Sequence, residues 1–255
     1  MCLILFAVDG HEEYDLVIAA NRDEFYSRPT LKAHIWSDPS WMVAGKDLEG
    51  GGTWLGMDLR GRIAMLTNYR DPERIKENAP SRGELVCNFF SSGDTTINYL
   101  KHIAQRGNVY NGFNLICADR SEVRYFSNYG SGQKVVGPGI HGLSNALLND
   151  PWPKVIKGRE KFSALLNESE ITVQDLFRIL YDDAQASDED LPDTGIGSEW
   201  ERQLSPLFIK TDQYGSRTST VILRRRDGHV TFAERSYNVG TFDYTDREFH
   251  FRIKH

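Results

Sequence analysis

Short apolar runs along the chain predict β-strands that come in pairs. Residues 2–8 and 16–21 are rich in apolar side chains and flank the polar turn 9–13, which is the pattern of a β-hairpin. Similar runs predict further strands at 53–57 and 63–68, 113–117 and 123–127, 139–143, 218–224 and 229–234, and 248–253. Because strands joined by short turns pair antiparallel, we expect antiparallel sheets.

Helical spacing and end signals occur at four places. Ser81 is the expected cap of a helix that runs through Phe90, and Asp94 is expected to open a second one before Gly107. Two more helices are predicted at 152–166 and 173–181. Strands followed by helices, twice and without βαβ alternation, predict an α+β fold. The expected architecture is a four-layer αββα sandwich of two antiparallel sheets flanked by helices.

We expect residues 1–255 to form a single domain, because no Pro-, Gly- or Ser-rich linker separates the two halves. The segment 184–214 interrupts the regular pattern with an acidic run, several Gly and Pro residues and only one short apolar stretch. Long irregular segments inside compact domains are often binding loops or lids. A lid-like loop and a flexible acidic surface loop both agree with this composition.

Composition narrows the class of protein. The 255 residues carry a net charge of −6, so a basic surface for nucleic acid is not expected. The longest apolar runs are of strand length, which argues against a membrane span, and no secretory signal begins the chain. The three cysteines are widely spaced, which indicates a cytoplasmic protein with no disulfide framework and no metal site.

Polar residues stand where several predicted strands end. The apolar run 16–20 changes abruptly to Asn21, Arg22, Asp23 and Glu24. Charges at the end of a buried strand need partners, because an unpaired charge is costly in an interior. By strand alternation Asn21 and Asp23 point to one face, whereas Arg22 and Glu24 point to the other. One pair could face a site, although strand-end surface residues would show the same pattern.

Five residues of this kind form a set with a chemical logic. A thiol supplies a nucleophile, two amides can hold an oxyanion, and one carboxylate with one guanidinium can tune the charge around them. The set consists of Cys2, Asp23, Asn68, Asn145 and Arg217. The sequence therefore predicts a catalytic site at the strand ends.

The same segments carry a resemblance to a known family. The run 21–24 behind Met-Cys resembles the NRDE family, as do the motifs GGTWLG, TNYR, LSN and YGSR at 51–56, 67–70, 143–145 and 214–217. That family includes the eukaryotic transport and Golgi organisation proteins. The resemblance spans nearly the whole chain and implies the αββα fold of the N-terminal nucleophile (Ntn) hydrolases. It also implies links to haem mobilisation and to acyl-CoA or lipid homeostasis.

A more distant resemblance is to the cysteine Ntn hydrolases, such as bile-salt hydrolases and penicillin V acylases. It implies that Cys2 is the nucleophile and that Asp23 binds the terminal amine. In the same way it places Asn68 and Asn145 at the oxyanion and Arg217 near the thiol. One element departs from the pattern: those enzymes have an arginine three residues before the aspartate, whereas this chain has Ala20 there and Arg22 beside the aspartate.

These residues predict a hydrolase or acyltransferase that acts on an amide or an acyl-CoA-like thioester through Cys2 and requires no cofactor. Removal of Met1 would free an α-amine with a pKa of about 7.7 to 8.0, which can take the thiol proton. Six further residues are expected to support the site or line its pocket: Asn21, Arg22, Glu24, Trp54, Tyr69 and His141.

The alternative is a non-catalytic protein of the same fold that binds and carries haem, acyl-CoA or another lipid. Seven scattered histidines offer no ligand pair for haem. His141 is the one expected near the site, although a solvated turn histidine is the more common explanation. The sequence leaves the substrate and the oligomeric state open.

Overall fold

The computed structural model describes residues 2–37 and 41–254, and the chain divides into two compact units. The first unit contains residues 1–27 and 138–250, and the second contains 28–137 and 251–255. The strands in chain order are β1 (Cys2–Val8), β2 (Tyr14–Phe25), β3 (Thr30–Trp36), β4 (Met42–Asp47), β5 (Leu55–Asp58), β6 (Ile63–Asn68), β7 (Phe113–Ala118), β8 (Val123–Ser127), β9 (Lys134–Val136), β10 (Gly139–Leu143), β11 (Tyr214–Arg225), β12 (His229–Tyr237) and β13 (Tyr244–Arg252).

Each unit is built on one sheet. The sheet of the first unit has the order β10-β1-β2-β11-β12-β13, and that of the second has β3-β4-β5-β6-β7-β8-β9. The predicted hairpins are present, because β1 with β2, β5 with β6, β7 with β8 and β11 with β12 all pair antiparallel. The expectation of two antiparallel sheets is thereby confirmed.

The helices are α1 (Gly83–Ser92), α2 (Thr96–Arg106), α3 (Pro153–Leu166), α4 (Val173–Leu180) and α5 (Ser198–Gln203). Two helix starts differ from the prediction by one residue. Arg82, rather than Ser81, precedes α1, and Thr95, rather than Asp94, caps α2. The Thr95 hydroxyl accepts a hydrogen bond from the Asn98 amide, which satisfies one of the amides that a helix start leaves open.

Three strands of the second unit, β3, β4 and β9, were not predicted from the sequence. β3 lies at the edge of its sheet, and only two of its seven residues are buried. An edge strand with one solvated side lacks the continuous apolar run by which the other strands were found. β4 pairs with β3 and has four buried residues, Met42 to Gly45.

The sheet of the first unit buries one face under α3 and α4. Leu3, Leu5 and Ala7 of β1 belong to the core that includes Val155 and Phe162 of α3. Each of the larger side chains, such as Leu3 and Leu5, contributes roughly 1.5 to 3 kcal/mol through burial of apolar surface. Successive strand residues alternate between faces, so Cys2 lies on the sheet face opposite this helix-covered core.

The segment 184–214 contains a short helical turn at 188–190 and the helix α5. Its second half is tied to the first unit by apolar residues that are almost completely buried: Leu204, Leu207, Phe208 and Ile209. Its role as a lid stays a prediction. Among the described residues, no helix has the length and apolar character needed to cross a membrane.

Candidate active site

Cys2 begins β1, and the register of the sheet places it directly opposite Arg22 on β2. Opposed residues of an antiparallel pair lie on the same face, so the guanidinium group and the thiol share one side of the sheet. Both residues are buried, Cys2 at 9% and Arg22 at 4% exposure. Arg22 also pairs with Glu24, with 3.8 Å between Nη2 and Oε2.

The surroundings of Cys2 keep its thiol protonated at neutral pH. Burial raises the pKa of Cys2 most strongly, and the Asp23 carboxylate raises it further. The Arg22 guanidinium opposes these effects, because a nearby positive charge favours the thiolate. A reaction at this thiol therefore needs a base that removes the proton during attack.

Asp23 follows Arg22 and is held from the neighbouring strand β11. The carboxylate is 1% exposed, and its Oδ1 accepts a hydrogen bond of 2.6 Å from Ser216 Oγ. The Tyr214 hydroxyl donates to the Asp23 carbonyl at 2.9 Å. Burial raises the pKa of Asp23, whereas the Lys154 ammonium and the Ser216 hydrogen bond lower it.

Asn145 lies just beyond β10, on the other side of β1. Leu143 pairs with Ile4, so Asn145 follows two residues later at the level of Cys2. Asn145 is completely buried, and Ser144 Oγ lies 3.3 Å both from its Oδ1 and from the Cys2 carbonyl oxygen. The structure thus brings a thiol, a guanidinium, a carboxylate and an amide together at one end of the sheet.

Asn21 points to the helix-covered face and connects three segments of the first unit. Its amide donates to the Leu180 carbonyl at 2.9 Å and to the Leu207 carbonyl at 2.8 Å. Its carbonyl oxygen accepts from Ser219 Oγ at 2.6 Å. These bonds join β2 to the end of α4, to the segment 184–214 and to β11.

Arg217 stands at a β-bulge of β11, between the pairs that Ser216 and Thr218 make with β2. The residue is half-buried, and its Nη1 donates to the Phe25 carbonyl at 3.1 Å. Of the two arginines, Arg22 is the one that lowers the pKa of Cys2, and burial raises this pKa by more.

His141 is half-buried on β10 and stacks on Phe6 with ring centroids 5.2 Å apart. Asn149 Oδ1 accepts from the Gly142 amide at 3.0 Å, so its Nδ2 faces His141 Nδ1 at 3.1 Å. An acceptor role for Nδ1 puts the proton of the neutral ring on Nε2. A role for His141 in haem binding stays a prediction.

Three of the predicted residues belong to the second unit. Asn68 ends β6, is half-buried and pairs with Phe113 on β7. Trp54 is half-buried before β5, and its carbonyl accepts from the Leu66 amide at 2.8 Å. Tyr69 stacks on Tyr129 with ring centroids 4.1 Å apart.

Sequence reasoning missed two residues that act on Asp23: Ser216 and Lys154. Ser216 lies in the YGSR motif but resembles any small polar residue of a strand. Lys154 carries a signal, because it precedes Gly158 and Phe162 at intervals of four and so lies in the buried stripe of α3. A charged residue inside an apolar stripe indicates a buried partner.

A solved structure of known function is similar over the full length. The C2A mutant of a conjugated bile acid hydrolase from Clostridium perfringens matches with a TM-score of 0.51 and 10% identity, covering 100% of this chain and 97% of that one. At this identity the likeness shows the fold alone. The protein has the α+β fold of the Ntn hydrolases, and the predicted fold class is confirmed.

Within this class, the chain belongs to the Transport and Golgi organisation 2 family, whose model matches residues 1–239. A mouse homologue is 38% identical over 274 residues, covering 96% of this chain and 99% of the relative. The human homologue is 40% identical over 257 residues, covering 92% and 93%. The family resemblance inferred from the strand-end motifs is confirmed.

Proposed function

We propose that this protein is a cysteine Ntn hydrolase or acyltransferase that acts through Cys2 on an amide or a thioester. One observation carries the proposal: a buried thiol lies opposite a buried guanidinium at the start of β1. Asp23 and Asn145, both buried, stand at the ends of the neighbouring segments. Buried polar groups are costly to maintain, and their convergence on a nucleophile supports a chemical role.

In the proposed reaction, removal of Met1 gives Cys2 a free α-amine. The neutral amine takes the thiol proton, and the sulfur attacks the carbonyl carbon to form a tetrahedral oxyanion. The oxyanion collapses, the C–N or C–S bond breaks, and the protonated amine gives its proton to the leaving group. Water, or an acceptor nucleophile, then attacks the acyl-cysteine thioester and restores the free thiol.

Several of the predicted residues have a role in this scheme. Asn145 donates a hydrogen bond to the oxyanion, which is often the largest single contribution to such catalysis. An oxyanion role for Asn68, which belongs to the second unit, stays a prediction. Asp23 orients the amine, and Arg22 favours the thiolate as the proton leaves. Arg22 therefore takes the place of the arginine that is absent at position 20. Arg217 holds the bulge beside Asp23, and Glu24 balances the charge of Arg22.

The alternative proposal is a carrier of the same fold that binds a lipid, acyl-CoA or haem without turnover. The names of the relatives refer to transport, and the protonated state of Cys2 is compatible with an inert thiol. The reactivity of Cys2 separates the carrier from the enzyme.

Selective alkylation of Cys2 tests the proposed function. Intact mass should show a chain without Met1, and iodoacetamide should label Cys2 faster than Cys87, which is half-buried and has a pKa raised by burial. Labelling should increase as the pH rises from about 7 to 9, because the α-amine loses its proton near pH 8. Peptide mapping measures both rates, and Cys87→Ser is the control. A retained Met1, or a Cys2 no faster than Cys87, would reject the enzyme and leave the carrier.

Arg22→Gln should slow the alkylation of Cys2 at pH 7.5 by about tenfold, because loss of the positive charge raises the thiol pKa further and leaves less thiolate. The guanidinium is buried opposite the thiol, so little solvent screens its charge. Arg217→Gln is the matched control and should change the rate less than about twofold. A larger effect of Arg217→Gln than of Arg22→Gln would show that the cation that favours the thiolate is Arg217 on β11.

A further inference from the structure

Lys154 is a buried lysine in the first turn of α3. The residue is 2% exposed, although lysine is among the side chains most rarely buried in proteins. A buried ammonium group loses its hydration, so a protein keeps it charged only where a negative group lies close by. The position of Lys154 therefore requires a buried carboxylate in its surroundings.

The geometry of α3 directs Lys154 toward the sheet. Gly158 lies one turn further along and packs on β1, since a Cβ there would lie 2.9 Å from Leu5 Cδ2. Val155 packs on β10, since a Cβ at Gly142 would lie 2.7 Å from Val155 Cγ1. Residues four apart share one face of a helix, so Lys154 lies on the face that covers these strands.

The carboxylate at this end of the sheet is Asp23, on the strand next to β1. Strand alternation puts Asp23, like Asn21, on the face that the helices cover. Burial raises the pKa of Asp23, and the Lys154 ammonium is the strongest influence in the opposite direction. Position 20 of the strand is alanine, and Arg22, which directly precedes this carboxylate, points to the opposite face of the sheet.

We propose that Lys154 is a positioning residue of the candidate active site, which supplies from α3 the buried positive charge that keeps Asp23 ionised. An ionised Asp23 can accept hydrogen bonds through both carboxylate oxygens, and so holds the amine of processed Cys2 beside the thiol. This second step rests on the proposed function. The charge coupling between Lys154 and Asp23 does not.

The charges around Asp23 determine the direction of the expected pH dependence. Burial and Glu24 disfavour the carboxylate form of Asp23, whereas Lys154, the amino group of the chain and the Ser216 hydrogen bond favour it. Burial raises the pKa of both Cys2 and Tyr26, and Asp23 adds to both shifts. Loss of Lys154 leaves burial and Glu24 to raise the pKa of Asp23 further. The folded chain then binds a proton at pH values where the unfolded chain has released it.

Lys154→Met tests this coupling through the pH dependence of unfolding. Between the two Asp23 pKa values the folded state holds one more proton, so the folded state loses stability as the pH rises. The unfolding equilibrium constant of Lys154→Met should rise by up to about tenfold per pH unit between about pH 5 and 7. The wild type should show a shallower rise, and the double variant Lys154→Met with Asp23→Asn should lose the added slope. Urea unfolding at several pH values measures all three.

Lys157→Met is the matched control, because Lys157 lies on the same helix but is 38% exposed and pairs with Asp182 at 2.9 Å. This control should keep the wild-type slope. An unchanged slope in Lys154→Met overturns the proposal. The proposal is also overturned if the Lys154→Met chain stays unfolded at about pH 5 and the double variant with Asp23→Asn stays unfolded as well. The lysine would then be needed for something other than charge. No substrate enters these measurements, so an unreactive Cys2 rejects the proposed function and leaves this test intact.

Discussion

Cys2→Ser should lower the rate of acyl release by at least about 10³-fold, as expected when the nucleophile of a covalent mechanism is removed. Serine keeps the size of the buried side chain, and its hydroxyl is a far weaker nucleophile than a thiol at neutral pH. The loss should appear in kcat, because the sulfur acts in the chemical step. A panel of acyl-CoA thioesters and N-acyl amides of increasing chain length gives the measurement, with thiol or amine release as the readout.

Cys87→Ser is the control for this prediction and should retain the wild-type rate, because Cys87 lies on α1 in the second unit and has no role in the proposed reaction. Turnover that survives Cys2→Ser would move the nucleophile elsewhere. A wild-type chain that labels at Cys2 but releases no product from any member of the panel would favour the carrier.

Asn21→Ala should lower the free energy of unfolding by about 3 kcal/mol, because it leaves buried groups without their hydrogen-bond partner. The Leu180 and Leu207 carbonyls lose their donor, and the Ser219 hydroxyl loses its acceptor. The side chain is 1% exposed, so water does not easily replace these bonds. Urea denaturation measures the change.

Asn88→Ala provides the comparison for Asn21→Ala. Asn88 is an exposed residue of α1, where alanine has the higher helix propensity, so its replacement should leave the stability unchanged or slightly raised. A loss below about 1 kcal/mol for Asn21→Ala would show that the segment 184–214 adjusts and finds other partners for the two carbonyls.

Much of the fold could be predicted because its hairpins combine apolar runs with polar turns. The turn 9–13 marks the β1–β2 hairpin clearly, and both strands are buried along most of their length. The edge strand β3 could not be found in this way, since one solvated side removes the apolar run. The pairing of strands that are distant in the sequence, such as β11 beside β2, follows from the packing of these segments. No local sequence pattern indicates it.

The candidate site, like the fold, could be predicted from the sequence only in part. Cys2, Asp23 and Asn145 could be selected because polar residues at the ends of buried strands are unusual and match a known order of motifs. The position of Arg22 depends on register: a shift of one residue would turn it away from the thiol. Lys154 could not be assigned to Asp23, because the sequence does not show which strand a helix covers.

Under the proposed function, the position of Cys2 within β1 also determines when Met1 has to be removed. Its main chain is paired with Arg22 on one side, and its carbonyl oxygen accepts from Ser144 on the other. An aminopeptidase must hold the scissile bond in its own cleft, which a paired strand does not allow. Under the proposed function, removal of Met1 therefore has to precede folding, while the chain leaves the ribosome. A tag fused ahead of Cys2 would leave the proposed thiol nucleophile without its base, so recombinant preparations should carry their tag at the other end.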